Sequence, residues 1–365
     1  MRNWGFSSKL VSLVVILVIS SPIAFADKDK NKHKERPDKH KLAVDKVKGD
    51  LSIMVLGSGG PAAIAKGRAS AGYLIFVDGQ PRILMDVGGG TFKTLAESGA
   101  NIRDLDTILL SHLHADHTGD LTAVIKTIYF HNNLARTQGL TNEGRKAAIN
   151  IFGPKSTDGI AAKFPDTNIF QYPSTEDYAH NHYSVAAGGV ERYLNAFAPA
   201  ISGQASSFSY TATDLLSDWR KTTTEDIPNN IDGLRITAIA VKHGPVPAVG
   251  FRIDYKGKSI AYSGDTRSET DNMAVLAKDV DLLIYDTAIT DTAPANPVFH
   301  ALHTSPTRMG KIALAAKANK LVLSHITPTT ETRLDEVREL IRLQGYAGEI
   351  STAKDLKVYN IGDDD

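Results

Sequence analysis

The sequence predicts an α/β layered fold, because short apolar strands alternate with helices in both halves of the chain. A second observation agrees with this fold class. Histidines and aspartates follow directly after several of the predicted strands. Polar residues beyond strand ends line the ligand crevice of open α/β sheets, so the same pattern predicts where a site should lie.

The N-terminus is predicted to lie outside the fold. Arg2 precedes an apolar run, Leu10 to Ile19, that is too short for a comfortable membrane span, and Ala24 to Ala26 match a signal-peptidase site. We expect residues 1–26 to be a signal peptide and residues 27–48 to be a charged disordered linker. The protein should then be periplasmic or secreted, with no stable membrane span after cleavage. An uncleaved membrane anchor is the alternative.

A single domain is expected from residue 49 to residue 365, and apolar runs between turn residues predict its strands. Those of the first half are Leu51 to Leu56, Tyr73 to Val77, Arg82 to Val87, Thr107 to Leu110 and Ile149 to Phe152. Thr91 is the predicted N-cap of a helix that ends near Ser98. A second helix is predicted over His117 to Tyr129, where apolar residues recur at core-facing spacing.

An aromatic-rich insertion is expected at about residues 155–232, where neither strand nor helix spacing is clear. Its aromatic residues are Phe164, Phe170, Tyr172, Tyr178, Tyr183, Tyr193, Phe197, Phe208, Tyr210 and Trp219. Loop-rich segments of this length are usually functional or disordered, and we expect this one to lie over the site. A pocket for a partly apolar ester, a small core and a homo-oligomer contact all remain open as roles.

Regular patterns return in the second half. The predicted strands are Leu234 to Val241, Val249 to Tyr255, Ser259 to Tyr262, Asp281 to Tyr285 and Leu321 to Leu323. The predicted helices are Asp271 to Lys278, Ser305 to Ala318 and Arg333 to Leu343. Ser305 followed by Pro306 is typical of a helix N-terminus.

One stretch gathers four metal-ligand types directly after a predicted strand: His112, His114, Asp116 and His117. His112 and His114 alternate off the strand end and should point the same way, whereas Asp116 and His117 must face elsewhere. This geometry indicates two adjacent metals. Further candidates at strand ends are His243, Asp265, Asp286 and His325. Since the chain has no cysteine, any metal must be bound by His, Asp or Glu.

With these residues the sequence resembles the metallo-β-lactamase superfamily, and more closely its ribonuclease Z-like branch, which also includes arylsulfatases and phosphodiesterases. The motifs that carry the resemblance are His112 to His117, Leu56 to Gly60, Gly153-Pro154, Val241 to Gly244, Gly250 to Arg252, Ser263 to Thr266, His303 to Ser305 and Ser324 to Ile326. The resemblance implies an αββα sandwich with a two-metal site at one edge.

The resemblance also implies a division of the ligands. His112, His114 and His243 would hold one metal; Asp116, His117 and His325 would hold the other; Asp265 would bridge them. The cofactors would be two divalent metal ions, zinc first and manganese or iron as alternatives.

The implied catalytic residues are His303, Asp116 and Asp286. A histidine in a His-Ser-Thr loop assists the leaving group in this branch. Here the order is His303-Thr304-Ser305, and Asp286 stands where the branch usually has a glutamate. His303 would act as a general acid and Asp286 would orient it.

The implied function is an exported hydrolase that cleaves a small phosphodiester or sulfate ester with a hydroxide shared by two metals. Lactone or β-lactam hydrolysis needs the same nucleophile and is the alternative reaction. A non-catalytic metal-binding protein that retains the fold is the alternative of another class.

Two features favour a small-molecule ester over nucleic acid as the substrate. Ribonuclease Z carries a long tRNA-gripping arm, often between the third histidine and the bridging aspartate, but only 22 positions separate His243 from Asp265, enough for a hairpin. Lys plus Arg (41) also equals Asp plus Glu (41), so the whole chain has no excess positive charge for a phosphate backbone.

Overall fold

Two mixed β-sheets form the centre of the molecule. The computed structural model describes residues 41–62, 67–137, 148–156, 172–191, 208–291 and 297–362, except for the side chains of 130–137. The first sheet contains β1 (Leu51–Gly57), β2 (Gly72–Val77), β3 (Gln80–Val87), β4 (Thr107–Leu109), β5 (Ile149–Pro154), β6 (Tyr210–Leu215) and β14 (Val358–Asn360). The second contains β7 (Thr224–Ile227), β8 (Arg235–His243), β9 (Val246–Tyr255), β10 (Lys258–Tyr262), β11 (Leu282–Asp286), β12 (Lys320–Ser324) and β13 (Glu349–Thr352).

Both sheets follow the same plan. Their strand orders are β14-β1-β2-β3-β4-β5-β6 and β13-β12-β11-β10-β9-β8-β7. In the first sheet β14, β1, β2 and β3 pair antiparallel, and β4, β5 and β6 add in parallel. In the second sheet β7 to β10 pair antiparallel, and β11 to β13 add in parallel. The parallel strands of each sheet therefore end at a common edge.

Helices cover the outer face of each sheet. They are α1 (Thr91–Ser98), α2 (Ala115–Thr118), α3 (Leu121–Thr137), α4 (Thr175–Tyr183), α5 (Asn272–Leu276), α6 (Pro297–Leu302), α7 (Pro306–Ala316), α8 (Pro328–Glu331) and α9 (Leu334–Arg342). Among the described residues no helix combines the length and the apolar character that a membrane crossing requires.

Three apolar clusters hold these layers together. Ile53 of β1 packs between the two sheets, together with Ile236 and Phe251 of the second sheet. Its neighbour Met54 points the other way, into the cluster under α1 and α3. Because both faces of the central strands are buried, these strands are apolar at nearly every position. The architecture is the αββα sandwich that the resemblance implied.

The folded part begins earlier than expected. The linker was expected to reach residue 48, but Ala43–Lys46 form a short 3₁₀ helix, and Ala43 is buried against the outer cluster of the first sheet. Val44 and Val47 pack against the same cluster, so a few apolar residues suffice to fix this turn despite its charged neighbours. The chain divides into two units, Met1–His40 and Lys41–Asp365, and only the second contains described residues, so the signal-peptide prediction lies outside them.

The described parts of the expected insertion belong to the sandwich. β6 and β7 are edge strands of the two sheets, and Tyr183 and Phe208 are buried in the cluster beneath α3. Edge strands carry fewer apolar residues, which explains why their pattern was not recognised. Phe164, Phe170, Tyr193 and Phe197 lie outside the described residues.

Candidate metal centre

The predicted site residues meet at the edge where several strands end. His112 and His114 follow β4, His243 ends β8, Asp265 follows β10, Asp286 ends β11 and His325 follows β12. The one-turn helix α2 begins directly after His114 and carries Asp116 and His117. The predicted continuous helix from His117 to Tyr129 is therefore wrong at its start: α2 ends at Thr118, and α3 begins only at Leu121.

Three imidazoles form the first cluster. Nδ1 of His114 lies 3.0 Å from Nε2 of His112 and 3.3 Å from Nε2 of His243. His112 and His243 are buried, and His114 is partly exposed at the rim. Each ring offers one nitrogen to a common point, an arrangement in which a divalent metal can be held.

Two histidines and two carboxylates form the second cluster. Nε2 of His325 lies 3.2 Å from Oδ2 of Asp116 and 3.3 Å from Nε2 of His117. Nε2 of His117 is 3.5 Å from the same Asp116 oxygen. The second cluster therefore contains two carboxylates that can bring negative charge to a metal, whereas the first is built from imidazoles alone.

Asp265 faces both clusters. Its Oδ1 lies 3.4 Å from Nε2 of His117 and 3.2 Å from Nε2 of His325. Its Oδ2 lies 3.8 Å from Nε2 of His112 and 3.9 Å from Nε2 of His243. Asp265 is therefore within reach of both clusters, one oxygen toward each, and could help to hold a metal in either.

The hydrogen bonds behind the rings fix their tautomers. Nδ1 of His243 donates to the carbonyl oxygen of Leu302 at 2.9 Å, and Nδ1 of His117 donates to Oδ2 of Asp86 at 2.7 Å. When each ring is neutral, Nε2 then presents a lone pair to the site.

The donor set fits cations. When the rings are neutral, lone pairs of imidazole nitrogens converge there on carboxylate oxygens, and the buried Oδ1 of Asp265 accepts no hydrogen bond from the described residues. A cation relieves that repulsion, so this centre can bind divalent metal. The individual ligand roles of the seven residues stay predictions.

The two clusters differ in how they hold protons. Burial lowers the pKa of His112 well below its ordinary value and lowers the pKa of His243 to about 4, so the first cluster is neutral. Burial also opposes charge on His325, but Asp265, Asp116 and Asp286 outweigh burial and raise its pKa to about 10. The pKa of His117 is raised well above its ordinary value by Asp265, Asp86 and Asp116, again against burial.

His303 and Asp286 form a buried pair beside the metal ligands. Nδ1 of His303 lies 2.7 Å from Oδ2 of Asp286 and 4.0 Å from Oδ2 of Asp265. Burial lowers the pKa of His303, but the charge and hydrogen bond of Asp286 outweigh burial and raise it above its ordinary value. With Nδ1 bonded to Asp286, Nε2 is the nitrogen left to exchange a proton with a substrate. That catalytic role stays a prediction.

Asp86 is a functional residue that sequence reasoning missed. Its Oδ1 accepts a bond from the backbone N–H of Ser111 at 2.7 Å. Its Oδ2 accepts bonds from Oγ of Ser111 at 2.7 Å, from Nδ1 of His117 at 2.7 Å and from the hydroxyl of Tyr262 at 2.8 Å. A carboxylate near the end of an apolar strand was the available signal, the same signal that singled out Asp286.

Gly60, in the loop after β1, lies where a larger residue would not fit. A Cβ atom at Gly60 would lie 2.9 Å from the ring of His325. The backbone N–H of Gly60 also donates to the carbonyl of Ile326, the residue after His325. This glycine allows the loop to pass directly against a predicted ligand.

Comparisons with known proteins agree with the fold. A sequence profile described as "Beta-lactamase superfamily domain" matches residues 177–326, and one described as "Anti-Pycsar protein Apyc1" matches residues 51–146. Ribonuclease Z of Thermoplasma acidophilum is 28% identical over 326 residues, which cover 86% of this chain and 97% of that protein.

Solved structures show the same fold. The metallo-β-lactamase fold protein YhfI of Bacillus subtilis superposes with a TM-score of 0.57 at 20% identity, covering 85% of this chain and 98% of that one. The short form of human tRNase Z gives a TM-score of 0.56 at 20% identity, covering 85% and 99%.

The expectation that nucleic acid is not a partner is wrong. The curated relatives that match most of this chain are named ribonuclease Z, a name that denotes cleavage of RNA, and this conflicts with the expectation. A hairpin of β9 and β10 does fill the interval between His243 and Asp265, as expected. The error lies in the charge argument, because a neutral total over a whole chain says nothing about local patches.

Fold, donor clusters and relatives lead to the same assignment. Profile matches within residues 51–146 and 177–326 together contain all seven predicted ligands. The chain has the metallo-β-lactamase fold, and it is a metal-dependent hydrolase similar to ribonuclease Z.

Proposed function

We propose that this protein hydrolyses phosphodiester bonds with two divalent metals, zinc first among the candidates. The observation that carries the proposal is Asp265, whose Oδ1 faces the second cluster and whose Oδ2 faces the first. Two metals held there would supply a water-derived nucleophile near neutral pH and would stabilise charge on the phosphate oxygens.

The chain's own residues then have distinct tasks. His112, His114 and His243 are neutral donors, so the first cluster can bind a metal without cancelling its positive charge. Asp116 and Asp265 bring negative charge to the second cluster. His303, held through Nδ1 by Asp286, gives a proton from Nε2 to the departing oxygen.

The relatives support a phosphodiester over other esters. Ribonuclease Z of Thermoplasma acidophilum matches nearly its whole length to this chain, and its name denotes cleavage of RNA, a phosphodiester polymer. Sulfate esters, lactones and β-lactams could be attacked by the same nucleophile, but no contact in the described residues favours any of them. RNA and small phosphodiesters are therefore the substrates to test first.

A substrate panel tests this function. The metal-reconstituted protein is assayed with bis(p-nitrophenyl) phosphate, a cyclic nucleotide, a 3′-extended RNA, an aryl sulfate, a lactone and a chromogenic β-lactam. We expect turnover of phosphodiesters, with the His112→Ala/His117→Ala double variant as the control for adventitious activity. Fast carbonyl cleavage without turnover of any phosphate ester would contradict the proposal.

We also infer that the protein is exported to the periplasm or beyond, which rests on the basic, apolar and Ala24-Phe25-Ala26 segments of the N-terminus alone. N-terminal sequencing of the mature protein should begin at Asp27. Recovery of the intact N-terminus from the cytoplasm would contradict export and would leave the proposed reaction untouched.

A further inference from the structure

A cationic surface with one tryptophan borders the metal centre. We call it the Trp219 patch, and its members are Trp219, Arg220, Lys221, Lys242 and Arg267. The ammonium of Lys242 lies 4.5 Å from the centre of the Trp219 ring, and the guanidinium of Arg220 lies 4.8 Å from it. The ring is only partly buried. An aromatic ring with cations around it is the combination that binds nucleic acid single strands.

The backbone beneath Trp219 is fixed by a buried side chain. Nδ2 of Asn272, which is 2% exposed, donates to the carbonyls of Trp219 at 2.9 Å and Lys221 at 3.1 Å. The same nitrogen lies 2.9 Å from the carbonyl of Ala240 in β8. The segment that carries the ring is thus attached to a core strand, so little ordering entropy remains to be lost on binding.

The patch is locally basic although the whole chain is neutral. Asp218 lies near both Arg220 and Lys221, and Glu269 pairs with Lys242 and lies near Arg267. Four cationic side chains therefore meet two carboxylates, and an excess of positive charge remains. The side chains of Arg220, Lys221 and Arg267 are 61%, 71% and 49% exposed, so they are accessible to a phosphate backbone.

The patch is continuous with the predicted metal ligands. Lys242 directly precedes His243, and Arg267 is two positions beyond Asp265. The backbone N–H of Arg267 donates to the carbonyl of Lys242 at 2.7 Å, which joins the two segments. A strand lying on the patch would therefore extend beside the centre where its bond is cut.

We propose that the Trp219 patch docks a single-stranded nucleic acid segment of the substrate, with one base stacked on Trp219 and backbone phosphates on Arg220, Lys221 and Arg267. That this segment belongs to the molecule being cleaved rests on the proposed function. Docking itself does not, because binding can be measured without turnover.

Binding is measured on the mature chain that begins at Asp27, which retains Trp219 alone of the two tryptophans in the sequence. The probe is a fluorescein-labelled, 2′-O-methyl RNA of twelve nucleotides without secondary structure, whose integrity after titration is checked on a gel. We expect anisotropy to rise on binding and an unlabelled copy of the same RNA to quench Trp219 fluorescence. In this mature chain, Trp219→Ala should weaken binding roughly 10-fold, while Trp219→Phe should retain most of the affinity.

Matched controls separate the patch from general surface effects. Phe92→Ala removes an exposed aromatic residue on α1 and should bind like the parent protein. The logarithm of the association constant falls as the logarithm of the salt concentration rises. Arg267→Gln should make this slope less steep by about 0.7, the value for one single-strand phosphate contact. Lys93→Gln removes an exposed cation on α1 and should leave the slope unchanged.

The outcomes are decisive. Equal affinities of Trp219→Ala and Phe92→Ala, equal salt slopes of Arg267→Gln and Lys93→Gln, or no binding by the parent protein would each overturn the proposal. RNA binding through the patch without phosphodiester turnover would instead refute the proposed function and uphold the docking surface.

Discussion

Asp86 accepts hydrogen bonds from Ser111, His117 and Tyr262. The bond from His117 fixes the orientation of a predicted metal ligand. Nδ1 of His117 donates to Oδ2 of Asp86, while Ser111 and Tyr262 hold the carboxylate in place. Partners behind a ligand set its tautomer and orientation, and their loss typically costs 10–100-fold in metal affinity.

Asp86→Asn should therefore weaken the second metal site by roughly 10–100-fold, because the amide presents either an oxygen or an NH₂ group to His117 and cannot accept from all four donors. Competition with a chromophoric chelator measures this affinity. Asp254→Asn, which changes a carboxylate that pairs with Arg252 away from the site, is the matched control. Equal metal affinities of the two variants would contradict a positioning role for Asp86.

His303 gives a second residue-scale prediction. His303→Ala should lower kcat on the order of 10²–10⁴-fold without lowering metal content, because the general acid is lost while all seven predicted ligands remain. The effect should be much smaller for bis(p-nitrophenyl) phosphate, whose leaving group needs little protonation, than for an RNA substrate. A uniform loss across leaving groups would count against proton donation.

The pH profile of the same variant provides an independent check. His303 donates a proton only below its pKa, which Asp286 raises above the ordinary value against the effect of burial. In the wild-type protein kcat should fall as pH rises through that raised pKa. His303→Ala should lack this alkaline decline, whereas a role in structure alone would leave the shape of the profile unchanged.

At the scale of elements, α1 shows how the loop beside the metal centre is anchored. The sequence predicted Thr91 as the N-cap, but Gly90 takes that position with a left-handed φ of 93°, and Thr91 begins the helix. Asp120, from the break between α2 and α3, caps the helix instead. Its Oδ2 accepts bonds from the backbone N–H groups of Gly90 at 2.8 Å and Phe92 at 2.9 Å.

Asp120→Ala should therefore destabilise the protein by about 1–2 kcal/mol, since two helix-terminal N–H groups lose their acceptor. Thr91→Val is the comparison, because the buried Oγ1 of Thr91 has no hydrogen-bond partner among the described residues. Its free energy of unfolding in urea should equal or exceed that of the wild type. A larger loss for Thr91→Val than for Asp120→Ala would restore Thr91 as the cap.

Sequence patterns predicted elements well where one physical signal dominates. Ser305 and Pro306 marked the start of α7 correctly, and Oγ of Ser305 accepts from the backbone N–H of Arg308. β13 and β14 were missed, because short edge strands with mixed polarity lack an apolar run and are defined by their partners. The cap from Asp120 was missed for a related reason, since it joins residues 28 and 30 positions apart.

At the scale of the whole molecule, the site was more predictable than the layers that hold it. Ligand types are rare at strand ends, so His112, His243, Asp265 and His325 could be found from chemistry and order alone. The residues that support them could not, because Asp86, Leu302 and Gly60 are ordinary in sequence and acquire their roles only through contacts. The expectation about nucleic acid failed for a similar reason, since total charge averages over surfaces that the fold separates.

The predicted ligands come from both halves of the sandwich. His112, His114, Asp116 and His117 follow β4 of the first sheet, whereas His243, Asp265 and His325 follow strands of the second. Metals held at this edge would therefore join the two sheets, and they would bind the folded state in preference to the unfolded chain. At a free metal concentration about 1,000 times Kd, binding adds about 4 kcal/mol to stability, which corresponds to a Tm increase on the order of 5–10 °C.

That metal-dependent increase in Tm should grow with pH. Without metal, protons on His117 and His325 offset the carboxylates, because Asp265 and its neighbours raise both pKa values against the effect of burial, that of His325 to about 10. This stabilisation is complete below the unfolded histidine pKa of about 6.5 and is lost as pH rises through the raised values. The same protons compete with metal, so metal binds more strongly as pH rises.

Calorimetric Tm values of the metal-loaded and the chelator-treated protein should therefore differ more at pH 8.5 than at pH 6.5. In His325→Ala one of the two titrating histidines is gone, so the difference should depend less on pH. Removing Lys93, which lies on α1 away from the site, should leave the pH dependence as it is in the wild type. A difference in Tm that stays constant across this range would show that protons do not take the place of metal in the second cluster, and that its carboxylates are neutralised in some other way.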